Sequence, residues 1–89
     1  CDFPDEKGRK EIFKIHSKKM TLEKGMPIKE IIKRTETFSG AEIKSVCTEA
    51  GYFAIREDRT KVKKEDFYKA IEKVKHEEEF DETHKTMFG

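Results

Sequence analysis

The sequence predicts an all-α fold of four helices followed by a charged tail, and three observations carry that prediction. Apolar residues recur at three- and four-residue spacing in four separate segments, the stripe of a helix rather than the alternation of a strand. Ser39 followed by Glu42, just ahead of one such stripe, forms a capping box that marks a helix start. From Lys75 onward the apolar period fails and His76-Glu77-Glu78-Glu79-Phe80-Asp81-Glu82 is too charged to pack. Residues 1–75 therefore read as one helical domain and residues 76–89 as a flexible tail.

The first helix runs from about Asp5 to Lys19, entered through Pro4, with Asp5 and Glu6 in its first turn and Lys18 and Lys19 in its last. That arrangement suits the helix dipole at both ends. Ile12, Phe13, Ile15 and Met20 mark its buried side. Thr21 to Met26 is a polar loop, and Pro27 begins a shorter second helix through about Thr35 with Ile28, Ile31 and Ile32 on one stripe. Glu36 to Phe38 connects to the capped third helix, where Ile43, Val46, Cys47, Ala50, Phe53 and Ala54 make the core-facing pattern of the central helix. Gly51 within it costs about 1 kcal/mol relative to Ala, which implies that another helix crosses closely there. The third helix runs out near Asp58, and Thr60-Lys61-Val62 is a short extended connector. A fourth helix begins near Lys64, with Glu65 and Asp66 in its first turn and Phe67, Ala70, Ile71 and Val74 facing inward.

With 34% hydrophobic and 44% charged residues in 89, the core is thin, and an apolar surface shared with a partner or neighbouring domain is expected. Twenty Lys and Arg against nineteen Asp and Glu leave a net charge of +1, which gives no bulk pull toward nucleic acid or membrane. Most of these charges are solvated helix faces, with pairs such as Glu30 and Arg34 at helical spacing. Cys1 and Cys47 are far apart, and Cys47 falls on an apolar stripe as a small core residue, which fits a reducing compartment. No apolar run approaches membrane-spanning length and no signal peptide is visible. The absence of a Met start points to a fragment of a longer protein.

No catalytic constellation can be assembled. The glycines Gly8, Gly25, Gly40 and Gly51 are isolated, without the Lys and Ser or Thr of a phosphate-cradling loop. The three histidines are scattered with no second ligand at metal spacing, and Cys47 has the helical phase of a buried thiol. Catalytic and metal residues are thus expected to be none, and the chain alone is not expected to be an enzyme. What remains is an open helix start: Gly40 and Ala41, between the two members of the capping box, let a ligand or backbone approach the partially positive end. His16 by itself reads as a solvated or capping histidine near a helix end. Arg56 and Arg59 read either as anion contacts or as surface ion pairs with neighbours such as Glu57 and Asp58, or contacts to an adjoining domain.

The ordered blocks Phe3-Pro4-Asp5-Glu6-Lys7-Gly8-Arg9, Ile12 to Met20, Ser39-Gly40-Ala41-Glu42, Cys47 to Gly51, Ala54 to Glu57 and Asp66 to Val74 resemble the C-terminal helical lid of AAA ATPases. They are most similar to the proteasome regulatory ATPases. The resemblance implies a lid whose Ile12, His16, Gly40 and Ala41 form half of an adenine-nucleotide pocket. Phosphates, magnesium and the hydrolytic machinery would lie on a large domain outside this chain, so the cofactors are ATP or ADP with Mg2+ held there, and none is expected for the isolated fragment. The implied parent is a hexameric ATPase that unfolds substrates and translocates them into the proteasome core particle. Its partners would be the large domains of the same and neighbouring subunits and the α ring of the core particle, with no nucleic acid and no membrane, in the cytoplasm and also the nucleus of a eukaryote. Met87, Phe88 and Gly89 are similar to the terminal hydrophobic-tyrosine-any docking motif of that family, with Phe88 lacking the tyrosine hydroxyl. Two other readings stay open: the lid of another AAA ATPase of segregase type, and a histone-fold-like module suggested by Lys61-Val62 and Glu65-Asp66-Phe67. The second would dimerise and bind DNA in a salt-sensitive way, for which a net charge of +1 gives no clear basic stripe.

Overall fold

The computed structural model describes residues 3–88, with side chains described through Glu77. Its helices are α1 (Glu6–Ser17), α2 (Ile28–Arg34), α3 (Gly40–Arg56) and α4 (Lys64–Phe88). They close a ring of packing in which α1 touches α2 and α3, and α4 touches α3 and α2. The δ-methyl of Ile12 lies beside Gly40 and Met20 lies beside Gly51, so α1 and α3 run side by side in the same sense. α4 returns antiparallel to α3, with Lys73 Nζ 2.9 Å from Glu49 Oε1 partway along the pair.

Each start has a local cause. Asp5 caps α1 by accepting from the Gly8 amide at 2.8 Å. Pro27 precedes α2, whose end is closed by Thr35, fully buried, with Oγ1 donating to the Ile32 carbonyl at 2.7 Å. Phe38 and Ile43 occupy the staple positions on either side of the α3 start, and both are buried in the core. Phe13 and Phe67 fill the middle of the ring with their centroids 5.2 Å apart. The Arg34 guanidinium lies 4.1 Å over the Tyr68 ring and holds α2 against α4.

The two connectors meet. Val62 donates to the Thr21 carbonyl at 2.8 Å and Glu23 donates to the Val62 carbonyl at 2.9 Å, a single parallel bridge between the expected polar loop and extended connector. α3 ends in a Schellman arrangement, with Asp58 at φ +56° and the amides of Asp58 and Arg59 bonded to the carbonyls of Ile55 and Ala54. Asp66, 0% exposed, then gathers the whole turn. Its carboxylate accepts from Arg59 Nη1 at 2.7 Å and Nη2 at 2.8 Å, and from the Lys63 amide at 2.8 Å.

Three expectations change. Ile15 is 66% exposed, because it sits two residues, or roughly 200° of helix rotation, from Phe13. The buried stripe of α1 is Arg9, Phe13 and Ser17, with Arg9 Nη1 bonded to the Pro4 carbonyl. Gly51 meets the end of Met20, 3.4 Å from where a Cβ would stand, and that residue lies just past α1 rather than within a crossing helix. Finally, the backbone of α4 continues helical to Phe88, through residues read from the sequence as a tail. Loss of apolar period removes packing, but Lys and Glu keep good helix propensity, and Lys75 pairs with Glu72 along the same face.

Two outcomes test these assignments. The Arg59 guanidinium holds the Asp66 carboxyl below its usual value, so this pair stabilises the fold above the unfolded value near about 3.9 and loses that contribution as pH falls through the lower folded value. Asp66→Asn is expected to cost about 3 kcal/mol at pH 7, with the gap in urea midpoint from the wild type closing below about pH 4. Gly51→Ala is expected to raise stability by about 0.5 to 1 kcal/mol in thermal melts, since the neighbour is the flexible end of a methionine.

Candidate functional site

The opening turn of α3 is fixed from both sides. Ser39, in extended backbone, accepts from the Glu42 amide at 3.2 Å through its hydroxyl, and the Glu42 carboxylate accepts from the Ser39 amide at 2.7 Å. Between them the first-turn amides of Gly40 and Ala41 have no acceptor inside the helix. Gly40 is half-buried and Ala41 is exposed. The δ-methyl of Ile12 stands 3.4 Å from the position a Cβ on Gly40 would take, which places the middle of α1 against the open end of α3.

His16 is exposed one turn beyond Ile12. It lines a shallow, open groove of about 250 Å³ between α1 and α3, together with Met20, Cys47, Thr48, Tyr52 and Ile55. The structure thus brings Ile12 to Gly40, with Ala41 next in the turn and His16 further along the same edge. The groove that His16 lines does not include Ile12, Gly40 or Ala41, so the four residues form an open edge rather than one enclosed pocket. Such an edge can cover one side of a flat apolar ligand and leaves the other side to another surface. The side chains of Met87 and Phe88, and all of Gly89, lie outside the described residues.

Burial pushes the Cys47 thiol up to about 12, so it stays neutral and packs as a small apolar residue. Among the described residues no group of His, Cys, Asp and Glu is arranged to hold a metal ion, and no helix is long and apolar enough to cross a membrane. Arg59 is structural, committed to Asp66 and Glu57, and the Arg56 guanidinium lies 5.5 Å from the Phe53 ring. Sequence reasoning missed Tyr52 and Ile55 beside His16, which are 53% and 65% exposed. Their signal was available, since both fall off the Ile43 to Ala54 stripe and yet are apolar.

Residues 26–69 match the AAA+ lid domain family, a stretch that covers α2, α3 and the start of α4. The proteasome-activating nucleotidase of Archaeoglobus fulgidus is 58% identical over 71 residues, which is 80% of this chain and 18% of that protein. That of Methanopyrus kandleri is 54% identical over 78 residues, 85% of this chain and 18% of that protein. The 26S proteasome regulatory subunit 8 of Caenorhabditis elegans is 55% identical over 71 residues, 80% of this chain and 17% of that protein. The chain spans less than a fifth of the length of these curated relatives. The segregase-type lid and the histone-fold-like module lose ground to an all-α ring of helices whose relatives carry these names. The chain belongs to the AAA+ lid domain family, in the form found in proteasome AAA ATPases.

Proposed function

We propose that this chain is the nucleotide-sensing lid of a hexameric proteasome-associated AAA ATPase. In this reading Ile12 and His16 on α1 and Gly40 and Ala41 at the α3 start cover the adenine and ribose of ATP or ADP. The phosphates and Mg2+ are held on the large domain of the parent, which carries out hydrolysis, unfolds substrates in the cytoplasm and passes them to the core particle. The observation that carries the reading is the seating of Ile12 against Gly40 at an open, capped helix end. Support also comes from Ile15, Tyr52 and Ile55, which are apolar and exposed as a lid shared with a large domain would leave them. No side chain of this chain performs a bond-making step. Its residues bind one face of the base, and dense packing of α3 on α1 and α4 lets that contact turn the lid as one body.

In the longer protein that carries this lid, Ile12→Ala and His16→Ala are each expected to weaken ADP binding about tenfold, or about 1.4 kcal/mol, in titration calorimetry. Gly40→Ala should weaken it too while leaving the melting temperature of the lid nearly unchanged, because its added methyl makes an ordinary contact with Ile12. Unchanged affinity in all three would remove these residues from the pocket.

We propose further that Met87, Phe88 and Gly89 dock in pockets of the core particle's α ring. A peptide ending in these residues is expected to bind core particles and open their gate. Phe88→Ala should abolish both effects, and Phe88→Tyr should strengthen binding by restoring a hydroxyl. Failure of the peptide and of Phe88→Ala to change association would overturn the docking assignment.

A further inference from the structure

A second surface lies on the far side of the ring from the α3/α4 seam. Between α1 and α2 runs a groove of about 380 Å³ lined by Glu6, Lys10, Ile28, Lys29 and Ile32. Its apolar part is Ile28, half-buried, and Ile32, 2% exposed. Lys29 also lines an adjoining depression with Lys33. Among the described residues none of Lys10, Lys29 and Lys33 makes an ion pair, as is also true of other surface lysines such as Lys14 and Lys44, so what marks this place is the apolar strip beside them. The groove therefore combines an apolar strip with two cations, Lys10 and Lys29, and one carboxylate, Glu6, and the adjoining depression adds Lys33 and Glu30, the latter paired with Arg34.

The sequence holds one stretch of complementary chemistry, Glu77-Glu78-Glu79-Phe80-Asp81-Glu82, with five carboxylates around one aromatic ring. Within one molecule the helical backbone of α4 carries this stretch without packing on α1. The backbone of α4 is a continuous helix to Phe88, it packs on α3 and α2, and it stands diagonal to α1 in the ring. Laying residues 77–82 across the outer side of α1 and α2 would require unwinding that helix. A second copy has no such constraint.

We propose that the α1/α2 groove receives the acidic 77–82 segment of a second copy of this chain, with Phe80 against Ile28 and the flanking carboxylates against Lys10, Lys29 and Lys33. The contact is charge-steered and weak, since exposed ion pairs contribute little individually and are screened by salt. It does not depend on the nucleotide reading.

Sedimentation velocity of the full 89-residue chain tests it. At low salt, about 20 mM, concentration-dependent association is expected, weakened at least tenfold at about 300 mM. Lys10→Glu/Lys29→Glu and Glu78→Lys/Glu79→Lys should each be monomeric alone, with helical content unchanged by circular dichroism. A one-to-one mixture of the two should associate again, because a reversed segment then meets a reversed groove. A wild-type chain that stays monomeric at low salt, or a mixture that fails to associate, overturns the proposal. So does association that survives groove reversal but is lost in Ile55→Asp, which would move the contact to the apolar face of α3.

Discussion

The Asp66 carboxylate is the point on which the connections of this small ring depend. It is fully buried, yet it accepts two bonds from Arg59 and one from the Lys63 amide, so its charge is compensated on every side the structure shows. Through Arg59 it also grips the connector, since Nη1 donates to the Lys61 carbonyl at 3.1 Å. That fixes Val62, whose bridge to the segment after α1 ties the α3/α4 turn to the α1/α2 turn. One carboxylate thus aligns both connectors, and the four helices pack in register because their ends are held. A chain with so thin a core relies more on such fixed ends than a larger domain would.

α3 carries the consequence of that alignment to the site. Ile43, Val46, Cys47, Ala50 and Ala54 bury its inner face, and α1 and α4 lie on either side. A close-packed helix of this kind has no soft joint between its first turn and its last. In the proposed lid, a ligand seated on Gly40 and Ala41 acts on the end of a rod whose other end is locked by the Schellman turn and the Arg59 pair. Displacement at the first turn then moves α1 and α4 with it instead of bending α3.

Periodicity and capping were legible wherever one local rule decided the outcome. Ser39 and Glu42 form the box their spacing implies, and Phe67, Ala70, Ile71 and Val74 face inward as the four-residue step requires. Reading failed where two rules competed. Ile15 is apolar but out of phase with Phe13, and Arg9 is charged but in phase with it, so phase outranked polarity at both positions. Arg59 could not be assigned from neighbours alone because its decisive partner is seven residues away across a turn. In the tail, loss of the apolar period reports only loss of packing, whereas backbone helicity follows propensity and continues to Phe88. The seating of Ile12 on Gly40 is a tertiary contact that periodicity does not reveal, and the resemblance groups the two residues only as parts of one nucleotide pocket.

The capping box also explains why the α3 start is suited to a ligand at all. A helix leaves its first amides without partners, and a buried or crowded start would need each of them satisfied from within. Here Ser39 and Glu42 satisfy each other's amides, and the Ile43 amide already bonds back to the Ser39 carbonyl at 3.0 Å. The donors left over belong to the two residues with the smallest side chains in the turn, Gly40 and Ala41. The box therefore secures the helix without closing its end, and Ile12 supplies an apolar wall at the same place. A bulkier residue at position 40 would retain both capping bonds and still lose the opening, so stability and access can be separated at a single residue.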